Sequence, residues 1–260
     1  MSSAPRKYDT KKIFWTVASI VGIILLVATV ARKKGSDAKD VLITILPLSE
    51  GIMLLNNNDV EKILEKSFGH DLKGEPIKSL EVERMEAVLE DEPFVKDAEV
   101  FVDAKNQIQI KITQREPIVR IIGANNTNYY LDSTGIKMPL SKHYSARVLV
   151  ATGNIPPYLA DFRTRSNYAL ADLFHLVQYI HQDDFLEPMV EQIYVDRVGE
   201  YTLIPKIGGQ KIQLGTCKDL EQKIYNLKEF YRQAMPTEGW KKYKTLIIKY
   251  KNQIVGRIDD

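Results

Sequence analysis

Residues able to do chemistry are few in this chain and poorly spaced for it. His175 and His181 lie six apart, near the helical repeat of seven but beyond the pairs that meet directly on a helix. Asp183 and Asp184 follow them. As metal ligands these groups would need a further donor and a closed surrounding shell, and surface polar residues are the simpler reading. His70 and His143 stand alone among loop residues. Cys217 is the only cysteine, so no intrachain disulfide forms. A reactive thiol is one reading of it, and a small buried hydrophobe is the commoner one.

The stretch Lys206-Ile207-Gly208-Gly209-Gln210-Lys211 bears a faint likeness to a phosphate loop. It lacks the GxxxxGK[ST] spacing and runs into a strand pattern, so a turn built on two glycines accounts for it. GxSxG, HExxH, GxGxxG and CxxC are absent. Asn125-Asn126-Thr127 fits a glycosylation acceptor, which matters only in a host that glycosylates. The expectation is no catalytic residue, no cofactor and no metal.

The strongest physical signal is Ile13 to Ala31, nineteen residues without a charge. As a helix it would reach roughly 28 Å, about the hydrocarbon thickness of a bilayer. Lys11 and Lys12 precede it, and Arg32, Lys33 and Lys34 follow. A cleaved signal peptide would have a shorter apolar core and a better cleavage site. A buried core helix would rarely be so uniform. The reading is a retained anchor, with a short tail inside and the bulk of the chain outside the cytoplasm. The positive-inside rule decides little, because basic residues balance across the span.

Charge agrees with that division. Eight of the 36 Lys and Arg but only three of the 34 Asp and Glu fall in residues 1–40, so the rest of the chain is slightly acidic. Nothing in it suggests a nucleic-acid surface.

Periodicity then sets out two folded parts. Val41 to Leu46 reads as a strand stopped by Pro47. Asn56 to Asp59 offers helix caps, with Val60, Ile63, Leu64 and Phe68 on one face and Gly69 as the stop. Ser79 is expected to cap a second helix striped by Leu80, Val82, Met85, Val88 and Leu89, ending at Pro93. Ala98, Val100 and Val102 alternate with polar partners, as do Ile108, Ile110 and Ile112 across a turn at Ala104-Lys105-Asn106. The order is strand, helix, helix, strand, strand: two helices over one face of a three-stranded sheet.

The second part is richer in strands: Pro117 to Ile122, Tyr129 to Leu131, Val148 to Ala151, Ile193 to Val195, Tyr201 to Ile204 and Lys211 to Leu214. Helices are expected from a cap at Ser166 to about His181 and from Asp219 to Ala234. A closing hairpin pairs Thr245 to Tyr250 with Gln253 to Ile258, which puts one strand at a sheet edge.

Three segments make this order specific. Leu89-Glu90-Asp91-Glu92-Pro93-Phe94-Val95-Lys96-Asp97-Ala98-Glu99-Val100 resembles the exit of the second helix of a POTRA domain in the bacterial cell-division FtsQ/DivIB family. Ile110 to Arg120, a strand running into an Arg-x-Pro turn, is similar to the same family, as is the Tyr130-Leu131-Asp132-Ser133-Thr134-Gly135 block. The resemblance covers nearly the whole chain.

It implies an α+β fold: a single N-terminal transmembrane helix (13–31) after a short tail (1–12), a linker (32–40), a β-α-α-β-β POTRA domain (41–118), and a mixed α/β domain on an antiparallel-rich sheet (119–260). It also implies a non-enzymatic, bitopic scaffold of the divisome, single-pass in the bacterial inner membrane and enriched at the septum, with the bilayer, FtsB-like and FtsL-like proteins as partners. In the family the last strand is the docking edge. The matching residues here are Tyr250, Lys251, Asn252, Gln253, Ile254, Val255, Gly256 and Arg257. Arg257 stands where better-known members carry tryptophan, so the partner's chemistry at that point is expected to differ; an arginine there can pair with an acidic residue. The alternatives are another POTRA-bearing protein of secretion or envelope assembly, and a membrane-anchored envelope hydrolase.

Overall fold

The computed structural model describes residues 15, 19–24, 37–124, 126–239 and 242–258. They form two compact units. One comprises the described residues up to Leu46 together with Asn56–Thr113; the other comprises Pro47–Leu55 together with Gln114 onward.

The first unit carries β1 (Asp40–Leu46), α1 (Asn57–Phe68), α2 (Val82–Glu90), β2 (Val95–Val102) and β3 (Gln107–Gln114). The sheet order is β1-β3-β2. β1 runs parallel to β3 with Ile43 opposite Ile110 and Ile45 opposite Ile112. The expected strand-helix-helix-strand-strand order is therefore present. Asn56 and Asp59 start α1 by a reciprocal box: the Asp59 amide donates to Asn56 Oδ1 at 3.0 Å, and the Asn56 amide donates to Asp59 Oδ2 at 2.9 Å. Gly69 ends it in a left-handed turn at φ 79°, which a side chain would resist. Ile108, Ile110 and Ile112 are wholly buried, as are Met85 and Leu89 on α2. Ser79 does not cap α2. Its hydroxyl donates to Pro76 O at 2.7 Å and is taken up by the preceding turn, so the helix opens two residues later at Glu81.

The second unit holds β4 (Pro117–Gly123), β5 (Asn128–Asp132), β6 (Lys137–Met138), β7 (Leu149–Gly153), α3 (Ala169–Gln182), α4 (Leu186–Met189), β8 (Val190–Val195), β9 (Tyr201–Pro205), β10 (Lys211–Gly215), α5 (Leu220–Gln233), α6 (Met235–Glu238), β11 (Thr245–Ile247) and β12 (Val255–Arg257). One nine-stranded sheet runs β12-β11-β10-β9-β8-β7-β4-β5-β6. β4–β7, β7–β8 and β10–β11 are parallel; the other five neighbouring pairs of this sheet are antiparallel, so the sheet is mixed and antiparallel-rich. Its core joins Leu170, Phe174, Val177 and Ile180 of α3 and Ile224 and Leu227 of α5 to Val119, Ile121, Ile193, Leu203, Ile212 and Leu246 of the sheet. Ser166 caps nothing here. Asn167 turns left-handed at φ 56°, which delays α3 until Ala169.

The excursion Pro47–Leu55 is tied into this unit by polar contacts. Buried Gln114 accepts from the Leu54 amide at 2.6 Å and donates to Ile52 O at 3.3 Å. Ser49 Oγ donates to Glu116 Oε1 at 3.0 Å.

The membrane-spanning part of the expected fold class is corrected. Among the described residues no helix is long and apolar enough to cross a membrane. Within the run 13–31 the structure describes Trp15 and a helical stretch at 19–24. The rest of that run lies outside the described residues, as do the expected tail 1–12 and linker residues 32–36. The bitopic function, the bilayer as partner, and the single-pass inner-membrane location with its N-in orientation all depended on that span and are withdrawn with it. The α+β description stands without it.

Candidate functional site at the C-terminal edge

The final hairpin is built by pattern and by one turn. Leu246 is buried in the core and Ile248 extends the pairing, its amide donating to Gln213 O at 2.9 Å. The chain then reverses through Lys251-Asn252, where Asn252 adopts φ 59°, a left-handed conformation that asparagine tolerates. The strands are shorter than the sequence suggests. β11 stops at Ile247 and β12 starts only at Val255. Thr245 faces Arg257, Leu246 faces Gly256 and Ile247 faces Val255, in antiparallel register.

β12 stands at one end of the strand order, with β11 on one side. Its residues are exposed, Val255 at 39%, and Tyr250 before the turn is 48% exposed. Ile254 packs partly against the core and holds the strand to the sheet. Gly256 is needed for a close approach. A Cβ built there would lie 2.4 Å from Tyr243 Cδ1 and 2.5 Å from Cε1. The Tyr243 ring is in turn fixed edge-on to Phe230, with centroids 5.9 Å apart. Sequence reasoning missed Tyr243. A glycine inside a strand is the signal that some neighbour comes close, but it does not say which.

Beside the turn lies a shallow groove of about 830 Å³, reached by Tyr250, Lys251 and Asn252 and floored by the start of α5. Lys223, 8% exposed, closes its base, with Nζ donating to Thr216 O at 2.8 Å and Leu214 O at 3.1 Å. Burial holds the Lys223 ammonium pKa below the usual lysine value. Lys249 Nζ lies 3.2 Å from Glu200 Oε2 and 5.7 Å from the centre of the Tyr250 ring.

The other candidate residues do not converge. His175 lines this groove, whereas His181 lines a separate one that also holds Arg147 and Lys206. Among the described residues no group of three or more His, Cys, Asp or Glu could hold a metal. Asp183 caps the turn before α4, accepting from the Phe185 and Leu186 amides at 3.0 Å, and pairs with Lys228 at 2.5 Å. Burial works against its carboxylate, but Lys228 and those amides outweigh it and hold the pKa low. His70 Nε2 lies 2.9 Å from Glu75 Oε1. The His143 amide donates to Ser141 Oγ at 3.1 Å. Burial pushes the Cys217 thiol up to about 11, so it is protonated at neutral pH and a poor nucleophile. Gly208 and Gly209 sit at φ 97° and 67° in the turn between β9 and β10. Asn125, the first residue of the glycosylation acceptor, lies outside the described residues.

These features define a class: a small β-α-α-β-β domain and a wide mixed sheet that ends in an exposed strand. A POTRA-like domain model matches residues 38–113. A model described as FtsQ/DivIB, C-terminal related, matches residues 116–257, more than half of the chain, and the chain belongs to the FtsQ/DivIB family. No curated protein sequence matched it. Membership of this family makes the chain a non-catalytic scaffold and not an enzyme.

Proposed function

We propose that the chain serves the divisome by capturing an extended segment of an FtsB-like protein, itself paired with an FtsL-like protein, as an added strand on β12. In this way it links early and late division proteins during septum formation. The observation that carries the reading is the place of β12 at the end of the nine-strand order, with exposed residues on either side of it. An open strand edge offers backbone donors and acceptors to any extended chain that fits, and side chains along it choose among candidates. Tyr250 to Arg257 form the docking segment, with Tyr250 as the aromatic anchor at its start.

Tyr250→Glu tests the anchor. The ring is half exposed, so the fold is expected to keep its thermal midpoint and circular dichroism. Affinity for the purified FtsB-like protein, measured by calorimetry, is expected to fall by about tenfold or more, as at other interface tyrosines. Unchanged affinity removes Tyr250 from the contact.

A further inference from the structure

The first unit has a sheet edge of its own. Of the four strands that end a sheet, β2 is the longest, with eight residues against seven in β1, three in β12 and two in β6. A long edge with open backbone groups is a template for pairing with another chain. Charge on the strand itself guards it thinly. From Ala98 to Val102 only Glu99 is charged, and it lies 3.6 Å from Lys111.

Successive amides along a paired strand point to opposite sides. The Asp103 amide donates to Gln107 O at 2.9 Å, toward β3. The amides of Val100 and Ala98, an odd number of residues earlier, therefore point to the side where the strand order places no neighbour. Helix α2 takes them instead. The Val100 amide donates to Glu86 Oε1 at 2.8 Å, and the Ala98 amide donates to Glu90 Oε1 at 3.5 Å. A helix rises about 6 Å over the four residues from Glu86 to Glu90, and a strand about 6.7 Å over the two from Ala98 to Val100. The two repeats nearly agree, so one helix face can meet consecutive outward donors. Met85 and Leu89, each the residue before a glutamate, are wholly buried and pin that face of α2.

We propose that α2 acts as a surrogate strand for β2. Glu86 and Glu90 hold the backbone donors that an added strand would need, and so shut the long edge of the first unit against pairing with a second copy of this chain. The inference goes beyond the reading of β12 and does not depend on it.

The test compares the full chain with Glu86→Ala/Glu90→Ala and Glu86→Gln/Glu90→Gln, each held to wild-type circular dichroism. Amide hydrogen exchange is read residue by residue by NMR, and association by sedimentation. In the dilute alanine variant the Val100 amide is expected to exchange about tenfold faster or more, since it loses a hydrogen bond to a charged acceptor. Glutamine keeps an acceptor oxygen, so its variant is expected to stay near the wild type. As concentration rises, the alanine variant is expected to dimerise and to regain protection at Val100, at concentrations where the wild type shows neither change. If the alanine pair loses the fold, Glu86→Ala alone serves for the same comparison. Exchange at Val100 that is unchanged in a folded alanine variant overturns the hold of the carboxylates. Fast exchange without any concentration-dependent protection overturns the guard.

Discussion

Replacing Asp132 by alanine is expected to destabilise the second unit by about 3–5 kcal/mol, the range found when one partner of a buried ion pair is removed. Asp132 Oδ2 meets Arg115 Nη1 at 2.8 Å, with the side chains only 5% and 12% exposed. Oδ1 accepts from the Thr134 amide at 2.9 Å, Thr134 Oγ1 at 2.7 Å and the Ile136 amide at 2.8 Å. Alanine would leave those donors and a buried guanidinium without this carboxylate. Asp132→Asn keeps the shape and part of the acceptor set, so it should cost less.

The same contacts fix a pH dependence. Burial alone would raise the Asp132 pKa, but Arg115, Thr134 and the two amides outweigh it and hold the pKa below 3.8. A carboxyl with a lowered folded pKa contributes its full stability above the unfolded value and loses it as pH falls through the folded one. Urea midpoints of the wild-type chain and Asp132→Ala are therefore expected to differ most at pH 7 and to converge below about pH 4. A difference that is unchanged at low pH would mean that the ionised carboxylate is not what holds this turn.

Ile110→Ala is the second large effect, at roughly 2–5 kcal/mol for a buried large-to-small change. Ile110 is wholly buried and stands opposite Ile43 in the register. The next residue along β3 points the other way. Lys111 lies 3.6 Å from Glu99, with its side chain 54% exposed, and 5.2 Å from the centre of the Phe101 ring. Lys111→Ala is expected to cost less than about 1 kcal/mol. Chemical denaturation of the whole chain measures both, and equal costs would contradict the assigned faces.

Period-two and helical patterns made most elements legible. The Ile108-Ile110-Ile112 alternation and the α3 stripe gave the correct buried faces, because burial acts directly on the side chains that carry the pattern. Boundaries were less legible where a local hydrogen bond or a backbone turn decided them. Ser79 spends its hydroxyl on Pro76, and left-handed Asn167 delays α3. The short β6, only two residues long, carries no usable period. Pro47–Leu55 carries no periodic pattern, and its place in the second unit depends on Gln114, sixty residues from Leu54. Hydropathy describes what the run 13–31 would prefer to touch, and most of that run lies outside the described residues. Among the described residues no spanning helix is present. At the edge, its terminal position was legible from order alone, whereas the Tyr243 ring over Gly256 required the fold.

The central claim is that β12 is the docking edge, and the affinity of the FtsB-like protein for the chain ending at Asn252 tests it most directly. Ile254 contributes to core packing, so the comparison includes Val255→Pro, an edge position where proline removes one backbone donor without removing that contact. Both variants are to be held to wild-type circular dichroism in the same buffer. The account predicts that binding is lost in the truncated chain and strongly weakened in Val255→Pro. Folded variants that bind at full strength would contradict it.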